Sequence, residues 1–102
     1  MMRLSANIVF LYEEEGGMDK DGFSGIRPNF EVAGDLITSE IWSTTEDEIF
    51  VRGTHYRVIV HLPYGEVYRE SIDPEMKFTL RQGARILGYG EVVEILDIVD
   101  QT

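Results

Sequence analysis

The feature that most constrains this chain is an alternation of apolar and polar residues over short segments. It is clearest from Tyr56 to Leu62, where Tyr56, Val58, Val60 and Leu62 share one face and Arg57, Ile59 and His61 the other. Successive strand side chains point to opposite faces, so this is the pattern of a half-buried strand. Nowhere does an apolar period of about 3.6 residues persist over the length of a helix. The fold class expected is all-β.

Five further segments read as strands: Ala6 to Tyr12, Arg27 to Val32, Ile37 to Trp42, Met76 to Arg81 and Arg85 to Leu96. The last two are joined by Gln82, Gly83 and Ala84 as a tight hairpin. Turn signals separate the rest at Glu15-Gly16-Gly17, Asp21-Gly22, Gly34-Asp35, Arg52-Gly53, Tyr64-Gly65 and Asp73-Pro74. Pro28 marks an edge or a strand start, since it cannot donate to a ladder. Gly88 and Gly90, inside a strand pattern, point to a bulge, a bend or a close backbone approach. No linker or repeat divides residues 1–102, so one domain is expected, with Asp100 to Thr102 fraying. Short strands at regular spacing favour a sandwich or a barrel, either of which protects sheet edges.

Composition adds three limits. With 43% hydrophobic residues, the chain has enough apolar side chains for a single core. It contains no cysteine, which excludes disulfides and thiolate chemistry and fits a reducing compartment. The apolar run Ile8 to Tyr12 is far shorter than the about 7–15 residues of a signal-peptide core or the about 20 of a membrane helix. A cytoplasmic protein without a membrane segment is expected. Nineteen acidic against nine basic residues give a formal charge of −10, which repels nucleic acid over most of the surface.

Recognisable catalytic and cofactor patterns are missing from the sequence. It has no G-x-x-x-x-G-K-[ST] phosphate loop, so GTP binding is not expected. Gly88-Tyr89-Gly90 lacks the third glycine and the helix of a dinucleotide site, and there is no G-x-S-x-G elbow. Asp19-Lys20-Asp21-Gly22 looks like part of a calcium loop, but Pro28 stands where the closing glutamate would fall, which leaves an ordinary turn. His55 and His61 have no cysteine to complete a zinc site. Carboxylate groups such as Glu13 to Glu15, Glu46 to Glu48, or Glu66 with Glu70 are what any acidic chain supplies, and Glu13 to Glu15 reads as a solvated strand end. No catalysis, cofactor or metal is therefore expected.

Three ordered motifs carry a family resemblance. Glu14-Glu15-Gly16-Gly17 is followed by Gly25-Ile26-Arg27-Pro28-Asn29-Phe30, similar to a G-Y-R-P-Q-F segment. Lys77-Phe78-Thr79-Leu80-Arg81-Gln82-Gly83-Ala84-Arg85-Ile86-Leu87-Gly88-Tyr89-Gly90-Glu91-Val92-Val93 is similar to R-F-A-I-R-E-G-G-R-T-V-G-A-G-V-V. Over about residues 7–96 the chain resembles the third, C-terminal domain of the elongation factor Tu family, standing alone without its GTPase domain. Arg52-Gly53-Thr54-His55 falls where the family has P-G-D-N, and an insertion of about four residues lies around Pro63 to Glu75.

The resemblance implies a six-stranded antiparallel closed β-barrel. It also implies surfaces that, in the family, help bind aminoacyl-tRNA and pack against neighbouring domains. The family's Arg-His pair after the paired glycines is replaced here by Met18 and Asp19. Losing those cations weakens the expected phosphate contacts. Arg27, Arg81 and Arg85 match family positions and are the candidate RNA contacts, unless they pair with nearby carboxylates. Tyr64 and Tyr68, in the inserted segment, are the candidate protein contacts, unless they staple that loop to its own domain.

The expectation is a non-catalytic interaction module that contacts a protein partner, with an accessory tRNA-binding role as the alternative. The altered Met18 and Asp19, the insertion, and a chain opening with methionine close to its first strand read as an independently encoded protein.

Overall fold

The alternating segments build nine strands in a computed structural model that describes residues 1–100. In chain order they are β1 (Met2–Phe10), β2 (Gly22–Phe23), β3 (Asn29–Val32), β4 (Asp35–Thr38), β5 (Glu40–Ser43), β6 (Ile49–Phe50), β7 (His55–Leu62), β8 (Lys77–Gln82) and β9 (Arg85–Ile98). Two short 3-10 segments, Glu13–Glu15 and Gly65–Ser71, complete the regular structure. Of the end expected to fray, Gln101 and Thr102 lie outside the described residues. No helix among the described residues is long and apolar enough to cross a membrane.

Seven strands form one antiparallel sheet in the order β4-β3-β8-β9-β1-β7-β5, while β2 pairs only with β6. The fold is all-β, but the expected closed six-stranded barrel is corrected to a curled, open half-barrel. No ladder joins β4 to β5 among the described residues. The segment expected as one strand, Ile37 to Trp42, is broken at Ser39 into these two edge strands. They follow each other directly in the chain, so the backbone passes from one edge of the sheet to the other at a single residue.

The sheet curls because β9 carries extra residues. Arg3 faces Asp97 but Leu4 faces Ile95, and Ser5 faces Glu94 but Ala6 faces Val92. Leu80 faces Gly88 while Arg81 faces Ile86. Each skipped residue, Leu96, Val93 and Leu87, is a bulge, and bulges bend a strand and increase its twist. Gly88 and Gly90 serve the same strand by close approach. A Cβ on Gly88 would lie 2.5 Å from the Val9 carbonyl oxygen, and one on Gly90 would lie 2.3 Å from the Phe78 ring.

The concave face holds the core. Met2, Leu4, Ala6, Ile8 and Phe10 of β1 are buried at every second position, as are Val58, Val60 and Leu62 of β7. Phe30 stacks on Phe78 with ring centroids 4.5 Å apart, and Phe50 meets Phe10 at 5.9 Å and Tyr56 at 5.3 Å. Truncating a buried phenylalanine of this kind costs about 3–5 kcal/mol. The segment from Pro63 to Glu75 contributes the fully buried Ile72 and the partly buried Tyr68 to the same core.

The one buried polar side chain of this core is Ser39, whose Oγ donates a 2.7 Å hydrogen bond to the Pro28 carbonyl. The bond satisfies a buried acceptor and pins the start of β3 against the corner between β4 and β5. Replacing Ser39 by alanine leaves that carbonyl unsatisfied, so Ser39→Ala is expected to lower stability by about 1–3 kcal/mol. Urea denaturation of both proteins measures the difference.

Candidate functional site

The corner at Ser39 places the segment Ile26 to Asn29 beside the hairpin between β8 and β9. A cleft of about 260 Å3 opens there, lined by Met18, Asp19, Arg27, Asn29, Arg81 and Arg85, with Ile26, Pro28, Gln82 and Leu87. The three arginines singled out in the sequence thus converge on one cavity with the two substituted positions. Asp19 is a lining carboxylate, and Arg81 and Arg27 also pair with Glu31 and Glu40, so the cleft gathers directed N–H donors on a strongly acidic chain without a surplus of positive charge.

Each arginine is held differently. Arg85 donates from Nε to the Gly16 carbonyl at 3.2 Å and from Nη2 to the Gly17 carbonyl, which ties the Gly16-Gly17 turn to the first residue of β9. Arg81 donates from Nε to Thr79 Oγ1 at 2.9 Å and from Nη1 to the Ala84 carbonyl at 3.3 Å, and it pairs with Glu31. Asn29 Oδ1 accepts from the Gly83 amide at 3.4 Å, fixing the hairpin turn against β3.

Arg27 is the exposed member, with 72% of its side chain accessible, and it pairs with Glu40 at 3.1 Å. An exposed ion pair contributes only about 0–1 kcal/mol, so Arg27 can turn to a ligand at little cost. A guanidinium carries five N–H donors in a planar fork that matches a carboxylate or phosphate. Arg81 and Arg85 therefore form a fixed wall, and Arg27 an adjustable one.

Glu40 connects this cleft to the neighbouring face. Its Oε1 lies 3.1 Å from His61 Nδ1 and accepts from Trp42 Nε1 at 3.3 Å, while Oε2 meets Arg27. The hydrogen bond from His61, helped by that from Trp42 and by the Arg27 charge, holds the Glu40 carboxyl below the usual carboxylate range despite desolvation. No short-range sequence pattern marks Glu40. Its role comes from the β5–β7 register, which sets Glu40 opposite His61.

The other sequence candidates lie elsewhere. Tyr68 donates to Asp35 Oδ2 at 2.8 Å and packs on the core, so it staples the inserted segment to β4. That hydrogen bond, with burial and the Asp35 charge, pushes the Tyr68 phenol up. Tyr64 stands 62% exposed at the start of the 3-10 segment, away from the arginine cleft. Asp21 accepts from the Arg52 amide at 3.1 Å and Nε at 3.0 Å, which occupies the carboxylate of the calcium-like turn. Among the described residues, no group of three or more His, Asp or Glu side chains is arranged to hold a metal ion. No protein-family model matches the chain.

A depressed carboxylate pKa adds stability above its unfolded value, and that stability is lost as pH falls through the lower folded value. The stability difference between wild type and Glu40→Gln should therefore be largest near neutral pH and shrink as pH falls below the usual carboxylate range. Denaturation midpoints taken from pH 7 down to pH 3 test this, and a constant difference would refute it.

Proposed function

We propose that this chain is a non-catalytic interaction module of the cytoplasm, a relative of the elongation factor Tu C-terminal barrel. In this reading the cleft receives an acidic group from a protein partner. The observation that carries it is the convergence of Arg27, Arg81 and Arg85 on one concave site of a chain that is otherwise strongly acidic. Two fixed guanidiniums and one adjustable one suit a carboxylate, which a fork of N–H donors binds in bidentate fashion. The apolar floor of Ile26, Pro28 and Leu87 suits the carbon stem that bears it.

The same arginines favour accessory tRNA binding as the second reading, since phosphate is also an anion. Charge argues for the protein partner. A polyanion must bring many phosphates close to a surface of net charge −10, whereas one acidic side chain enters the cleft alone.

The discriminating experiment titrates labelled protein with a six-residue peptide carrying one central glutamate among neutral residues and, separately, with bulk tRNA at 50 mM salt. The peptide is expected to shift the amide resonances of Arg27, Asn29, Gln82 and Arg85, and Arg27→Ala to weaken it at least fivefold, with no tRNA retained. Peptide binding elsewhere, or none, would refute the protein-partner reading. tRNA retention that Arg27→Ala abolishes would establish the second reading instead.

A further inference from the structure

A second surface lies on the far side of Glu40 from the cleft. The strand pair β2–β6 sets Phe23 directly opposite Ile49, and Gly22 opposite the buried Phe50. Opposed residues of a ladder share a face, so Phe23 and Ile49 point together away from the core. They are 53% and 52% exposed, and Val51, the residue after β6, is 46% exposed.

This face continues onto β5. The chain after β2 is bonded on both sides, with the Ser24 amide donating to the Glu48 carbonyl at 2.8 Å and the Gly25 amide to the Ile41 carbonyl at 2.7 Å. Trp42 lies outward on β5, 45% exposed, with its ring 3.3 Å from where a Gly25 Cβ would stand. Gly25 has φ +95°, a conformation suited to glycine, and the bare backbone there admits the Trp42 ring. Phe23 and Ile49, paired across β2 and β6, thus stand exposed on firmly bonded backbone, with Trp42 against the following Gly25 and Val51 directly after β6.

Large apolar side chains grouped in this way mark interaction sites. What would cover this one follows from its rim. Glu46, Asp47 and Glu48, in the connection from β5 to β6, are all exposed, and none makes a salt bridge among the described residues. Of the cations around this face, Arg27 pairs with Glu40 and Arg52 with Asp21, Arg57 donates to the neutral Asn7 Oδ1 at 2.8 Å on the β1 side, and Lys20 makes no salt bridge among the described residues. An apolar centre beside three exposed carboxylates that make no salt bridge is complementary to an apolar segment flanked by Lys or Arg.

We infer that the surface of Phe23, Trp42, Ile49 and Val51 docks a basic, apolar-centred segment of a protein partner. The inference rests on the interaction-module reading, but its ligand is opposite in charge to that of the arginine cleft. Each site can therefore fail alone. The cleft and this face, linked through Glu40, would grip an acidic and a basic part of a partner side by side.

Trp42 is the sole tryptophan of the chain, so its fluorescence reports on this face directly. The probe is a synthetic peptide, Lys-Arg-Leu-Phe-Lys-Leu-Ile-Lys-Arg amide, compared with one in which Ser replaces its four apolar residues at the same charge. Fluorescence titration should show saturable binding of the first peptide, at least tenfold tighter than the second. Phe23→Ser with Ile49→Ser, and separately Glu46→Lys with Asp47→Lys and Glu48→Lys, should each weaken it at least tenfold, while Arg27→Ala leaves it within twofold. Amide spectra of the variants confirm that each is folded.

Equal binding of the two peptides, or none by the apolar one, would overturn the inference. So would retention of affinity in the folded Phe23 and Ile49 variant. Sedimentation equilibrium supplies the remaining outcome: a dimer of the chain that this variant dissociates would assign the face to a second copy and equally overturn it.

Discussion

A single buried hydrogen bond, from Ser39 Oγ to the Pro28 carbonyl, sits where the architecture turns a corner. At that point the chain leaves β4, one edge of the seven-stranded sheet, and enters β5, the other edge. Water cannot reach a carbonyl buried there, so the serine hydroxyl supplies the donor the backbone needs. The segment after β2 is bound to the same corner, with the Ile41 amide donating to the Ile26 carbonyl and the Gly25 amide to the Ile41 carbonyl. Arg27 leads into the pinned Pro28 and Glu40 follows the pinned Ser39, so their pairing at 3.1 Å follows from the corner.

The two surfaces follow from that geometry. On one side of the corner the β8–β9 hairpin brings Arg81 and Arg85 to Arg27, and on the other Trp42 extends the apolar face of β2 and β6. Glu40 bonds to both sides at once. The curl that makes the face concave comes from β9, whose three bulges bend the sheet around Phe30, Phe78 and the β1 core. The segment from Pro63 to Glu75 contributes Ile72 and Tyr68 to that core, so it is built into the fold.

Much of the fold was legible, and the exceptions have physical causes. The β7 and β8–β9 segments were readable because alternation and the Gly83 turn act locally. The extent of β1 was readable too: Met2, Leu4, Ala6, Ile8 and Phe10 alternate from its first residue, yet the apolar run drew attention to Ala6 onward. The break at Ser39 was invisible to periodicity, because Ile37, Ser39 and Ile41 keep the same inward phase across it. Strands of two residues, such as β2 and β6, are too short to show any period, and with them the apolar face escaped notice. The three arginines were found from sequence, but their convergence depends on β3 pairing with β8, a long-range contact that no local pattern encodes.

Native-state hydrogen exchange tests the dependence on this corner most directly. If the Ser39–Pro28 contact organises the molecule, the amides of Gly25 and Ile41, which close the backbone around it, exchange only through global unfolding. Their opening free energies should then match those of Ala6 and Ile8 in the central strand. Exchange of Gly25 and Ile41 orders of magnitude faster than the β1 amides, with a different denaturant dependence, would show that the corner opens by itself and contradict the account.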